Sequence, residues 1–417
     1  MKQLRLATVG SVDDGKSTLI GRLLFDSKNI FADHLEHMES VSKRRGDEEI
    51  DLSLLTDGLR AEREQGITID VAHRYFATPK RSFVIMDCPG HIQFTRNMVT
   101  GTSHADLAIV LIDARHGVAE QTRRHSLLVS LLRVPHMVVC INKMDMVGYS
   151  EERFNEIRRE FEEFAAKLKL QDVTFIPISA LIGDNVVTRS AELSWFNGPT
   201  ILGHLENVYT ASDENQIGAR FPVQLVIRPR TPEHHDFRGF SGVIAGGIFR
   251  TGDEVMVLPS GFTTTVTEIR DSEGPVQEAT PGMSVVMQVA DDISIVRGDM
   301  LCRPNNKPNV TQEHEAMLCW FDAKFQLDTT RRYILKHTTR ETKAVVEEIR
   351  YRLDITNLHR DESVTTLAMN DIARVKIRTA EPLLRDSYED NRRTGSFILI
   401  DEATCATVAA GMILSPR

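Results

Sequence analysis

At 417 residues, with 41% hydrophobic and 26% charged positions, the chain is too long for one ordinary core and too apolar for a disordered or fibrous protein. It has no long apolar run, and the N-terminus passes from MKQ directly into LRLATVG, so neither a membrane span nor a signal peptide is expected. The net charge of -9 offers no electrostatic footprint for nucleic acid, and the five scattered cysteines form no C-x-x-C pair, which suits reduced thiols in the cytoplasm.

Short runs rich in Val, Ile and Leu at 4–10, 82–87, 105–113, 136–141 and 173–178 read as buried parallel strands. Segments of helical spacing separate them. Leu19, Ile20, Leu23 and Leu24 share one helix face, and Phe154, Ile157, Phe161 and Phe164 repeat within a helix expected from about Ser150 to Leu170. Alternating strand and helix predict a doubly wound, mostly parallel sheet. The block 28–63 has no clear period and carries KRRGDEEID, which reads as a solvated surface excursion.

After the polar stretch 211–218 the texture changes to short alternating strands with turn glycines, as in FPVQLVIRP and GFSGVIAGGIFRTGDEVMVLPSG. A second polar break is expected at 303–315, before another strand-rich stretch. The predicted architecture is therefore an α/β domain over 1–212, followed by two small all-β barrels over 213–306 and 307–417.

Gly10-Ser11-Val12-Asp13-Asp14-Gly15-Lys16-Ser17 matches G-x-x-x-x-G-K-[ST] between a predicted strand and a predicted helix, the context a P-loop requires. Glycines let the backbone curl around a phosphate so that N–H groups and the helix N-terminus face the anion. Lys16 would span the β- and γ-phosphates, and the Ser17 hydroxyl would bind Mg²⁺, with Thr18 next in the turn. A Gly-rich loop can arise by chance, so the neighbouring motifs carry the weight.

Asp87-Cys88-Pro89-Gly90 closes the strand SFVIM. There Asp87 can reach the metal through water, and the Gly90 N–H can meet a γ-phosphate oxygen. Asn142-Lys143-Met144-Asp145 closes HMVVCI and has the N-K-x-D form that reads guanine. Asp145 can accept from guanine N1–H and the exocyclic amine, whereas adenine would leave the carboxylate unpaired. Ser179 and Ala180, followed by Leu181, fit the loop whose backbone N–H meets guanine O6. Four motifs in order, each at the end of a strand, specify guanine-nucleotide binding.

Thr68 lies in Glu64-Gln65-Gly66-Ile67-Thr68-Ile69, between the P-loop and D-x-x-G. In that order its hydroxyl can bind Mg²⁺ and its carbonyl can hold the attacking water only when the γ-phosphate is present, which would make the segment a switch. Alone it would read as an ordinary β-branched strand residue. His91 directly follows Gly90, so it can orient the water as well as serve as a structural histidine. The candidate catalytic set is His91, Thr68, Lys16 and Gly90, and the candidate metal set is Ser17, Thr68 and Asp87.

DCPGH together with a GIT switch resembles the translation-factor class of GTPases. FSGVIAGGIFRTGDEVMVLPSG with VRGDML resembles the second barrel of those factors, and RVKIRTAEPL with GSFILID resembles the third. Within that class, GSVDDGKSTLIGRLLFDSK, LTDGLRAEREQGITIDVAHRYF and DCPGHIQFTRNMVTGTSHADLAIVLIDARHGV resemble the GTPase large-subunit (subunit 1) family of bacterial sulfate adenylyltransferase, the ATP sulfurylase. Elongation factors usually carry His where Ser11 stands and Arg where Gln65 stands.

The resemblance implies a GTP- and Mg²⁺-dependent subunit that hydrolyses GTP to drive a small catalytic subunit, which makes adenosine 5′-phosphosulfate from ATP and sulfate. Some relatives fuse an adenylylsulfate kinase behind the barrels. That would need a second P-loop, and no such motif follows Gly15, so a kinase would lie outside these residues. The competing readings are an elongation-factor-type translational GTPase and a GTPase scaffold without turnover, which would have no use for His91.

Overall fold

A computed structural model describes residues 3–27, 68–168, 170, 172–210, 216–229 and 237–415. The excursion at 28–63 and the switch residues Glu64 to Ile67 lie outside the described residues, whereas Thr68 lies within them. The chain divides into two compact units, Met1–Thr210 with Ile355–Leu358, and Ala211–Asp354 with His359–Arg417.

The first unit is built on β1 (Leu4–Val9), β2 (Ala72–Ala77), β3 (Ser82–Asp87), β4 (Leu107–Asp113), β5 (His136–Asn142) and β6 (Asp172–Pro177). Their order across the sheet is β2-β3-β1-β4-β5-β6. All neighbours are parallel except β2 against β3. The expected strands are present, but β2 was not expected. It is an antiparallel edge strand with only Phe76 buried, so its sequence lacks the continuous apolar run of its neighbours.

Around the sheet are α1 (Lys16–Asp26), α2 (Thr95–Thr102), α3 (Glu120–Leu131), α4 (Glu151–Ala165) and α5 (Ile201–Asn207). Ser150 caps α4, its side chain accepting from the Arg153 N–H. That helix buries Phe154, Ile157, Phe161 and Phe164 and ends at Ala165, soon after the last apolar repeat, so it stops short of Leu170. Leu19, Ile20 and Leu23 of α1 are fully buried among Leu6, Ile109, Leu111 and Cys140. Each such burial contributes about 1.5–3 kcal/mol, so α1 and the loop before it are anchored to the sheet.

In the second unit, antiparallel strands between Arg220 and Cys302 form one seven-stranded sheet, and strands between Asn309 and Ile413 form another. Pairing of Glu254–Leu258 with Phe262–Arg270, and of Arg332–His337 with Arg340–Leu353, closes six strands of each sheet into a ring. These are the two expected all-β barrels. The polar break expected at 303–315 is shorter in the structure, because a strand begins at Asn309 and pairs with Ile372–Arg385. Its first residues are polar because they are mostly exposed.

Candidate functional site

The P-loop connects the carboxyl end of β1 to α1. Asp13 and Gly15 adopt left-handed backbone conformations, with φ of 67° and 93°. A Cβ on Gly15 would sit 2.4 Å from Asn142 Nδ2, so that position admits only glycine. No side chain caps α1, which leaves the amides of its first turn open to an anion. Lys16 is buried and donates from Nζ to the Gly10 carbonyl at 2.9 Å and the Ser11 carbonyl at 2.6 Å. Burial lowers its pKa, opposed by the charges of Asp87 and Asp14.

Asp14 turns its side chain inward, and Oδ2 accepts the Ser11 N–H at 2.5 Å. Burial raises its carboxyl pKa, against the pull of Lys16. Val12 and Asp13 face solvent, while Ser17 and Thr18 are half-buried at the start of α1.

At the end of β3, Asp87 is buried and accepts the Thr8 hydroxyl at 3.1 Å. The neighbouring Cys88 thiol is pushed up to about 12, first by burial and then by the Asp87 charge, so it is no nucleophile. A Cβ on Gly90 would lie 2.5 Å from both the Gly10 carbonyl and Lys16 Nζ. The two glycine turns therefore meet at the lysine, forming a cradle that a side chain would fill. His91 is half-buried, and its Nδ1 accepts the Gln93 N–H at 3.3 Å across a 3₁₀ turn over Ile92–Phe94. Thr68 is half-buried beside Ile69, whose carbonyl accepts Asn97 Nδ2 at 2.8 Å. The Ser17 and Thr68 hydroxyls and the Asp87 carboxylate are hard oxygen donors of the kind Mg²⁺ takes alongside substrate phosphates.

Asn142 ends β5 and joins two loops. Its Nδ2 donates to the Asp14 carbonyl at 2.7 Å, and its Oδ1 accepts the Ala180 N–H at 2.9 Å. Of the loop expected to offer a backbone N–H to guanine O6, the Ala180 amide is engaged by Asn142 in this structure. Lys143, at φ 62°, sends Nζ to the Asp13 carbonyl at 2.6 Å and to Asp113 Oδ2 at 2.9 Å. Asp145 Oδ1 is buried with no hydrogen-bond partner among the described residues. A buried carboxylate oxygen without a donor is costly unless a ligand supplies one, and guanine offers two. Ser179 is buried, and Leu181 is exposed beside it.

Sequence reasoning missed three supporting residues. Thr8 orients Asp87. Arg22 of α1 donates to the carbonyls of Ala180 and Leu181, tying the P-loop helix to the base loop. Asp113, the last residue of β4, holds both Lys143 and Arg115. Burial alone would raise the Asp113 carboxyl, but hydrogen bonds from Arg115 and Lys143 outweigh it and hold the group well below the usual carboxylate range. A legible signal existed for this residue. Asp113 ends the apolar run LAIVLID as Asp87 ends SFVIM, and ligands of open α/β sheets gather at those strand ends.

The Elongation factor Tu GTP binding domain family matches residues 1–216, and the GTP-eEF1A C-terminal domain-like family matches residues 313–414. The bifunctional enzyme CysN/CysC of Mycobacterium tuberculosis is 58% identical over 411 residues, which cover 99% of this chain and 67% of that protein. Sulfate adenylyltransferase subunit 1 of Bacteroides fragilis is 52% identical, with 99% of this chain and 86% of the relative covered. The crystal structure of sup35 complexed with GDP aligns with all of this chain and 94% of its own, at TM-score 0.46 and 24% identity. With an elongation-factor-type GTP-binding domain and full-length similarity to named subunits, the chain belongs to the sulfate adenylyltransferase subunit 1 family of GTPases.

Proposed function

We propose that the chain binds GTP with Mg²⁺ and hydrolyses it to drive a small catalytic subunit, which forms adenosine 5′-phosphosulfate from ATP and sulfate in the cytoplasm. The observation that carries nucleotide choice is the orphaned Asp145 Oδ1, beside an Asn142 already committed to both loops. Family membership carries the sulfate-activating partner. In this reading the GTPase domain spans 1–212, with barrels at 213–306 and 307–417.

The residues divide the work. Amides from Gly10 to Thr18 would wrap the phosphates, with Lys16 leaving its P-loop carbonyls to meet the β- and γ-oxygens. Ser17, Thr68 and a water held by Asp87 would hold Mg²⁺, which when bound offsets charge on the phosphate oxygens. Gly90 would sense the γ-phosphate through its N–H. Because the Gln93 N–H occupies His91 Nδ1, a neutral imidazole carries its proton on Nε2. That form donates a hydrogen bond, so it orients the water and does not take its proton. Coupling to the partner requires that nucleotide and partner bias the same switch conformations, with Thr68 at the junction.

The test is phosphate release by the purified chain, first alone and then with the cognate small subunit. GTP should be hydrolysed in preference to ATP, and the subunit should raise the rate. Co-purification of RNA in place of a protein subunit would overturn the assignment in favour of a translational GTPase.

A further inference from the structure

Asp113 belongs to none of the four nucleotide motifs, yet it meets the lysine of one of them. Its Oδ2 lies 2.9 Å from Lys143 Nζ, and that same nitrogen donates to the Asp13 carbonyl of the P-loop at 2.6 Å. Lys143 is thereby pinned at two points, one on the phosphate loop and one at the end of the central strand β4. We propose that Asp113 is a positioning residue for nucleotide binding, acting through Lys143 to couple the phosphate loop to the base motif. This inference rests on guanine nucleotide occupying the site.

The surroundings of Asp113 suit a positioned carboxylate. It is buried, and its Oδ1 accepts the Arg115 N–H at 2.9 Å and Arg115 Nε at 3.0 Å, while Oδ2 accepts Arg115 Nη2 at 2.6 Å. The turn after it is tied down in turn. Ala114 N–H donates to the Asn142 carbonyl at 2.9 Å, Gly117 N–H returns to the Asp113 carbonyl at 2.9 Å, and Arg153 Nε of α4 donates to the Ala114 carbonyl at 2.8 Å. A carboxylate held this way cannot follow a moving lysine. It fixes where the ammonium sits, and a fixed ammonium holds the Asp13 carbonyl against the base motif.

A purely structural ion pair would also explain the contacts, so the test is a double-mutant cycle read by nucleotide affinity. Titration of fluorescent methylanthraniloyl-GDP and of GTP would compare wild type, Asp113→Ala, Lys143→Ala and the double variant in the full chain. Circular dichroism would report folding, and Asp113→Asn, which keeps the side-chain size but not the charge, would replace Asp113→Ala if the alanine variant fails to fold.

Asp113→Ala should weaken GDP and GTP alike by roughly tenfold, the scale of one charge-assisted bond. In the Lys143→Ala background the same change should cost less than about twofold, because its route to the nucleotide is already gone. Folded Asp113 variants that bind like wild type, or losses that multiply in the double variant, would overturn the proposal. A wild-type chain that binds no guanine nucleotide would overturn the nucleotide assignment itself.

Discussion

The side chain of Asn142 donates to the main-chain carbonyl of Asp14 across 2.7 Å, joining residues 128 positions apart. Its other end takes the Ala180 N–H, so one buried amide links the phosphate loop to the base loop. Asn142→Ala would leave a carbonyl and an N–H without their partner, at about 1–3 kcal/mol each. GTP and GDP affinity should both fall by between about tenfold and a hundredfold, at an unchanged ratio, by calorimetric titration. A change confined to GTP would place the effect at the γ-phosphate instead.

On the proposed reading Asp145 would set the base preference through its Oδ1, which has no hydrogen-bond partner among the described residues. Asp145→Asn should weaken GTP and favour xanthosine triphosphate, whose ring presents a carbonyl where guanine has an amine. Competition binding of the two nucleotides reads this directly, and undiminished GTP affinity would remove Asp145 from the site.

On the proposed reading His91 would serve turnover rather than binding. His91→Ala should leave GTP affinity within a few-fold and cut hydrolysis by roughly a hundredfold or more. Loss of the imidazole cap on the Ile92–Phe94 turn should cost about 0.5–2 kcal/mol of stability as a side effect. Single-turnover hydrolysis in the activated complex checks the rate, and wild-type turnover would leave His91 with only its capping role.

The strands of the first unit were legible because buried parallel strands write themselves as unbroken runs of Val, Ile and Leu, and the P-loop and N-K-x-D stand at their ends. The edge strand β2 escaped because its exposed face interrupts the apolar pattern. Thr8 and Arg22 escaped for another reason: what they do depends on partners far away in sequence, Asp87 for Thr8 and Leu181 for Arg22. Local spacing carries no trace of such a contact.

Acid should loosen the protein through buried imidazoles. His125 on α3 is fully buried, with Nδ1 unpartnered among the described residues, and burial with the charges of Lys16 and Arg124 lowers its pKa to about 3. In the unfolded chain the ring takes a proton near 6.5, so between those values the unfolded state binds more protons. Its contribution is complete above the unfolded value and is lost as pH falls below it, by up to about 1.4 kcal/mol per pH unit. His125→Gln should therefore show a smaller drop in Tm than wild type between about pH 7 and pH 5. An equal drop would exclude His125 as a source of acid sensitivity.

Synthesis of adenosine 5′-phosphosulfate by the reconstituted pair tests the proposed division of labour between subunits. The sequence carries one set of nucleotide motifs, and on the proposed reading Asn142, Lys143 and Asp145 would commit that site to guanine. Product would be measured from ATP and sulfate with the large chain alone, with the small subunit added, and with GTP present or withheld. No product is expected from the large chain alone, and GTP-stimulated synthesis is expected from the pair. That stimulation should be lost in Thr68→Ala, with GDP binding retained, because a γ-phosphate sensor is where linkage would break. Product formed by the large chain alone, or a pair indifferent to GTP, would contradict this division of labour.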